Sequence, residues 1–284
     1  MKEQEIQTFW QLHPCGDALV GGLRAENRSD YELFFQRYDD FRYKQEKHIF
    51  RCLDSINFKD KKVLEIGLGQ GADSEQIIRR GAKWSGLDLT DESVERVKTR
   101  LEIRQLPYEI VKQGSALNIP FPDHSFDIVF SHGVLHHIPE IHRAQKEIAR
   151  ALKPDGELII MLYAKWSLNY LVSIGFVRRA GLLALHAAGR DPGGIFSLHL
   201  INARKMGLWR YLRMENFIHR NTDGPLNPYS KVYDVAKVRQ DFPDFRVVRA
   251  YKRFMHAPPL PISWLPFSHL LGWHLWVHLR PISV

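Results

Sequence analysis

Residues 131–138 read S-H-G-V-L-H-H-I and set three imidazoles, His132, His136 and His137, within one short stretch. An unperturbed imidazole titrates near pH ~6.5, so such a group takes or yields a proton close to neutrality. A metal centre is not expected here. His132 and His136 stand four apart, but the sequence places no carboxylate or cysteine to complete a ligand set. A second stretch offers binding rather than proton transfer. Residues 63–73, V-L-E-I-G-L-G-Q-G-A-D, run from strand character into Gly67, Gly69 and Gly71 and then into a helical pattern. Such a loop lets backbone approach a small ligand at the carboxyl end of a strand, over a helix N-terminus.

The identity of that ligand is narrowed by charge. Asp88 closes the next strand, 17 residues past Gly71, where a carboxylate can accept from both hydroxyls of a ribose. NAD and S-adenosylmethionine share that ribose, so Asp88 alone leaves both open. A nucleoside-triphosphate loop is excluded, because no Gly-Lys-[Ser/Thr] follows. The spacing is G-x-G-x-G, not the G-x-G-x-x-G of dinucleotide folds. Glu65 precedes the loop, and Asp73 and Glu75 open the helix after it. An acidic rim of this kind repels a pyrophosphate and tolerates an ammonium and a sulfonium.

The elements that must position these residues alternate. A helix is expected from Tyr31 to Leu53, with Phe34, Phe35, Tyr38 and Phe41 at helical spacing. Strands are expected at 62–66, 84–88, 108–111, 126–130 and 157–163, with helices at 72–80, after an N-cap at Thr90, and at 140–152. Alternation at this spacing predicts an α/β fold with a doubly wound, mostly parallel sheet. Strands six and seven are expected at 245–254 and 272–278. The 80 or so residues between strands five and six exceed an ordinary connection and predict a helical cap over 164–244. Residues 1–29 read as an irregular arm. The division expected is thus 1–54 arm and helix, 55–163 ligand-binding core, 164–244 cap, and 245–284 closing strands.

These motifs, in this order, carry a resemblance. V-L-E-I-G-L-G-Q-G is followed by G-L-D-L-T at 86–90, G-S-A-L-N-I-P-F at 114–121, F-D-I-V-F-S-H-G-V-L-H-H-I at 126–138 and A-L-K-P-D-G-E-L at 151–158. The chain resembles a class I S-adenosylmethionine-dependent methyltransferase of the small-molecule, type 11-like kind, strongly over residues 55–163. The resemblance implies a seven-stranded Rossmann-like sheet and S-adenosylmethionine as cofactor, leaving S-adenosylhomocysteine as product. It implies that Glu65, Gly67, Gly69 and Gly71 cradle the methionine part. Asp88 would hold the ribose with Leu89 against the adenine. Ser115 and Ala116 would meet the adenine edge, and Ser131 and His132 would border the sulfonium. Many members carry an acid at the position of Ser115. The resemblance also implies an N-terminal lid, for which Trp10, His13 and Tyr31 are candidates.

Methyl transfer is an in-line displacement, so alignment and exclusion of water matter most. A base is required only for a protonated acceptor. His136 is the first choice, followed by His137 and His132. N-P-Y-S at 227–230 is not the N-P-P-Y of amino-group methyltransferases, which follows strand four. The stretch 222–233 is instead expected to edge the acceptor pocket through Tyr229, Lys231 and Tyr233.

Charge is unevenly placed. Residues 164–284 hold 17 Lys and Arg against 6 Asp and Glu, within a chain whose net charge is +8. A basic cap favours an anionic, carrier-linked or lipid-linked acceptor, or a peripheral membrane contact. Two cysteines cannot form a disulfide framework, and no signal peptide is visible, so a cytoplasmic setting is expected. The alternatives are an RNA or protein methyltransferase, a non-catalytic cofactor-binding module and a nicotinamide oxidoreductase.

Overall fold

Strand β1 (Lys62–Ile66) lies in the interior of a seven-stranded sheet of order β3-β2-β1-β4-β5-β7-β6. The computed structural model describes residues 3–23 and 27–282. Residues 1, 2 and 24–26 of the expected arm, and 283–284 of the expected closing strands, lie outside them. The other strands are β2 (Lys83–Asp88), β3 (Ile110–Gln113), β4 (Phe126–His132), β5 (Leu152–Tyr163), β6 (Phe245–Arg253) and β7 (His274–Pro281). Neighbours are parallel from β3 to β5, and β7 runs antiparallel between β5 and β6. The order reverses between β1 and β4. A crevice opens at such a switch point, beyond the carboxyl ends of the strands.

Alternation along the strands feeds two apolar layers. Leu64, Ile66, Val129, Ile160 and Val277 join one, and Val63, Trp84, Ile128, Phe130, Ile159 and Trp276 the other. Helix α4 (Ala72–Arg79) and α5 (Asp91–Ile103) cover the second layer through Ile77, Ile78, Val94 and Val97, while α6 (Ile141–Ala151) covers the first through Ala144 and Ile148. Thr90 caps α5 as expected, its hydroxyl accepting from the Ser93 amide.

Three expectations need correction. The arm is ordered: helix α1 (Glu3–Leu12) precedes a 3₁₀ turn at Asp17–Val20. The long helix is two, α2 (Arg28–Gln45) and α3 (His48–Asp54). Asn27 and Asp30 form a capping box that starts α2 before Tyr31, and Glu46 leaves helical geometry at φ −114°, ψ 46°. The cap also ends earlier than residue 244. It contains a π-helical stretch Asn169–Arg178, α7 (Arg179–Ala187), α8 (Ile195–Met206), α9 (Leu208–Tyr211) and α10 (Met214–Phe217). These bury their own cluster, including Ile174, Leu182, Leu200, Tyr211 and Phe217. Helix α11 (Val235–Asp241) belongs instead to the sheet, since Val238 and Phe242 pack with Leu162 and Phe245. A short helix α12 (Ser268–Leu271) leads into β7.

Candidate functional site

The β1–α4 loop is built for close approach. Gly67, Gly69 and Gly71 all have positive φ, at 81°, 53° and 75°. A Cβ at Gly67 would lie 2.1 Å from Val134 Cγ2, so no side chain fits there. Gly69 meets only Cys15 Cβ, at 3.9 Å, and faces the crevice. Asp88 fastens this loop to β2. Its Oδ2 accepts from the Leu68 amide at 2.7 Å, and its Oδ1 accepts from the Thr90 amide and hydroxyl at 2.9 and 2.8 Å. Burial raises its pKa against the lowering effect of those bonds.

The acids expected around the loop part company. Glu65 is buried, and Trp84 Nε1 donates to its Oε2 at 2.8 Å. Burial, reinforced by the charge of Asp73, pushes the Glu65 carboxyl up to about 8. Asp73 behaves oppositely. Burial works against its charge, but Arg42 at 2.7 Å and His132 at 2.7 Å outweigh it and hold the carboxyl well below the usual range. Glu75 is no part of the rim. It is buried away from the crevice against Arg79 and Arg100, at 2.8 and 2.9 Å. The negative charge expected at the rim therefore rests on Asp73, already paired to a guanidinium, while Glu65 keeps its proton to about 8.

One crevice unites the loop with the carboxyl end of β4. Gly67, Gly69, Asp73, Asp88, Leu89 and Ala116 line one side. His132, His137, Tyr163, Asp223 and His274 line the other, and Ile6 and Trp10 of α1 close over it. Trp10 meets His137 edge to face, with ring centroids 5.0 Å apart. The Tyr163 hydroxyl donates to Asp223 Oδ1 at 2.7 Å. His137 Nδ1 lies 2.7 Å from the Tyr229 carbonyl, so Nδ1 carries a hydrogen and donates. Its Nε2 lies 3.4 Å from Asp223 Oδ2.

His136 does not reach the crevice. It is fully buried, its ring stacks on Tyr163 with centroids 3.9 Å apart, and neither nitrogen has a hydrogen-bond partner among the described residues. Burial, with the neighbouring His137 and His132, holds its imidazole well below the usual range, so it stays neutral. The first-choice base is thereby corrected to a packing residue. His132 does reach the crevice, held at Nδ1 by Asp73.

The remaining candidates divide. Ser115 lies behind the wall, donating to Glu3 and accepting from the Leu117 amide. Ser131 is buried and donates to the Ile66 carbonyl. Gly71 starts α4 behind the loop, with Val97 and Arg100 close to it. Tyr31 packs on Phe35, away from the crevice. Tyr229 stacks on His219, Lys231 pairs with Asp241, and Tyr233 is buried with its hydroxyl on Asp241. None of those three lines the crevice. The stretch 222–233 serves it through Asp223 and the Tyr229 carbonyl instead. Sequence reasoning missed Arg42, Glu46, Tyr163, Asp223 and His274, which come from four separate places along the chain. Only D-G at 223–224, inside a stretch already marked as pocket-forming, carried a usable signal.

Two residue sets could hold a cation. Glu46, His132 and His274, and separately His136, His137 and Asp223, bring ligand atoms within 4.8 Å of one another. Carboxylates thus do come beside the histidines, contrary to the sequence expectation. In the first set, however, the Arg42 guanidinium stands 3.1 Å from His132 Nδ1.

Comparison with known proteins fits this geometry. Residues 64–160 match a family described as "Methyltransferase domain". The chain is 36% identical over 98 residues to a fatty-acid O-methyltransferase of Mycolicibacterium smegmatis, covering 34% of this chain and 35% of that one. It is 27% identical over 161 residues to a malonyl-[acyl-carrier protein] O-methyltransferase of Halorhodospira halophila, covering 55% and 54%. The match spans about half or less of these curated relatives. Among solved structures, a SAM dependent methyltransferase from Aquifex aeolicus superimposes with a TM-score of 0.51 at 17% identity, covering 91% of this chain and all of that one.

Proposed function

We propose that this chain, which carries a class I S-adenosylmethionine-dependent methyltransferase domain, moves a methyl group from that donor to an O, N or S atom of a small or medium organic acceptor. The observation that carries the reading is a crevice combining a side-chain-free glycine cradle, a ribose-competent carboxylate and buried acceptor atoms that have no partner among the described residues. Asp73 Oδ1 and Glu46 Oε2 are such atoms, and both residues line the crevice. Orphaned acceptors in a buried site favour a cationic ligand over a phosphate.

In this reading Gly67, Gly69, Glu65 and Asp73 receive the ammonium end of the donor. Asp88 binds the ribose, and Leu89 and Ala116 flank the adenine. When bound, S-adenosylmethionine supplies a methyl group on a sulfonium leaving group. The protein contributes alignment and dryness. Trp10 and Ile6 exclude water from above. His137, fixed in the Nδ1–H tautomer by the Tyr229 carbonyl, offers Nε2 to a hydroxyl, thiol or ammonium proton of the acceptor. Asp223 stabilises the imidazolium that results, and Tyr163 holds Asp223 in place.

The names of the two relatives, a fatty acid and a malonyl carrier protein, support an acyl-, lipid- or carrier-linked acceptor. The test is an assay for S-adenosylhomocysteine release against a panel of fatty acids, acyl carriers, phenols and RNA. Calorimetry with S-adenosylhomocysteine and NAD in parallel accompanies it. Binding of S-adenosylhomocysteine and turnover of an organic acceptor are expected. Binding of NAD alone, or turnover confined to RNA, overturns the proposal.

A further inference from the structure

The cap and the loop before β7 leave large apolar side chains in water. Trp166 is 53% exposed, Phe176 69%, Trp264 78%, Phe267 48% and Leu270 57%. They share one neighbourhood. Lys252 Nζ donates to the carbonyls of both Trp166 and Leu270. Ser173 and Arg178 of the π-helical stretch both donate to the Pro258 carbonyl, which ties Phe176's helix to the loop that carries Trp264. Trp264 Nε1 is satisfied by the Pro261 carbonyl at 2.9 Å and Trp166 Nε1 by Asp234 at 3.2 Å. The indoles thus present their faces outward while their polar atoms are paired.

The charge around this patch is mainly positive, Asp234 on Trp166 and Lys165 being the acid beside it. The parts of segments 164–190 and 245–284 next to it carry Lys165, Arg178, Arg179, Lys252 and Arg253, and neither segment contains an Asp or Glu except Asp-free flanks aside from none; Arg246 and Arg280 lie at the far end of the β6–β7 pair. The loop A-P-P-L-P-I-S-W-L-P-F, 257–267, has four prolines, so it holds Trp264 and Phe267 out with little freedom left to lose. Exposed Trp and Phe on a basic ground match the headgroup region of an anionic bilayer, where indoles settle and Lys and Arg find counter-charges. No helix among the described residues is long and apolar enough to cross a membrane.

We infer that this face, centred on Trp264, Phe267, Leu270, Trp166 and Phe176, docks the protein peripherally on an anionic phospholipid bilayer. The chain just before that loop reaches the crevice wall through a run of rings. His256 stacks on Phe254 at 4.9 Å, Phe254 meets His274 at 4.7 Å, and His274 lines the crevice. The inference stands apart from the choice of acceptor.

The experiment is flotation of the full chain with vesicles of phosphatidylcholine alone and of phosphatidylcholine mixed with phosphatidylglycerol. The expected result is binding to the anionic vesicles only, weakened by added salt. In the variant Trp264→Ser/Phe267→Ser, partition should drop about tenfold or more while S-adenosylhomocysteine affinity is unchanged. Neither residue lines the crevice, and retained affinity certifies the fold. Absence of binding to anionic vesicles overturns the inference. So does binding that ignores both substitutions, or full displacement by soluble glycerol phosphate, which would indicate an anion site instead. A protein partner captured by the patch without vesicle binding overturns it as well.

Discussion

His137 Nε2 faces Asp223 Oδ2 across 3.4 Å, although the two residues stand 86 positions apart. Each is supplied by a different unit: the turn after β4 brings the imidazole, and the cap brings the carboxylate. If this pair removes the acceptor proton, His137→Gln should lower kcat by roughly 10²–10⁴-fold and leave S-adenosylhomocysteine affinity nearly unchanged. His136→Ala should do the reverse, lowering Tm through a core cavity while the folded enzyme keeps its turnover. Steady-state kinetics beside calorimetry and thermal melts separate the two. Equal loss of kcat in both variants would return the role to His136.

Glu65 makes stability depend on pH. Burial holds its folded pKa at about 8, above the ordinary carboxylate value. Between those two values the folded protein keeps a proton that the unfolded chain has released. Its contribution is whole at low pH, falls by about 1.4 kcal/mol per pH unit across the window, and levels off once pH passes the folded pKa. Denaturation of the ligand-free protein from about pH 5 to about pH 9 should show this decline. Glu65→Gln should flatten it, and an unaltered slope in that variant would assign the proton elsewhere.

Asp88 has two duties that different variants separate. Asp88→Ala removes the acceptor for the Leu68 and Thr90 amides, so both Tm and S-adenosylhomocysteine affinity should fall. Asp88→Asn keeps one carbonyl acceptor. It should restore part of the stability while affinity remains weaker by roughly 1–3 kcal/mol, the cost of losing a charge-assisted bond. Wild-type affinity in Asp88→Asn would remove the ribose from this position.

Gly67 cannot carry a side chain. A Cβ there would collide with Val134 Cγ2 at 2.1 Å, on a backbone with φ of 81°. Gly67→Ala should lower stability by about 1–3 kcal/mol from backbone strain and steric displacement together and should abolish S-adenosylhomocysteine binding. Val134→Ala in the same chain should return some stability but not binding, because the crevice floor stays displaced. Calorimetry and thermal melts on the single and double variants read both effects.

The sheet was legible because its signals are local. Strand alternation, the three glycines and the Thr90 cap each act within a few residues, and each sits where its chemistry requires. The crevice floor was legible for the same reason. Its far wall was not. Adjacent histidines in one 3₁₀ turn point to opposite environments, and nothing in L-H-H says that His137 meets the cavity while His136 goes under Tyr163. Arg42 reaches Asp73 from a helix that ends well before β1, a pairing no spacing rule encodes. In the cap, the turn at 222–224 gave a carboxylate and a neighbouring carbonyl, whereas the aromatic and basic side chains that drew attention fold away onto Asp241 and His219.

Helix α1 is stitched down at both edges of the opening. Gln7 Nε2 donates to the Leu89 carbonyl at 2.9 Å, Ser115 donates to Glu3, and Asp17 beyond the helix pairs with Arg96 at 2.7 Å. Helix α1 is thereby tied to the ends of β2 and β3 that it overlies, so any variant that loosens Gln7 or Glu3 is expected to let water into the crevice.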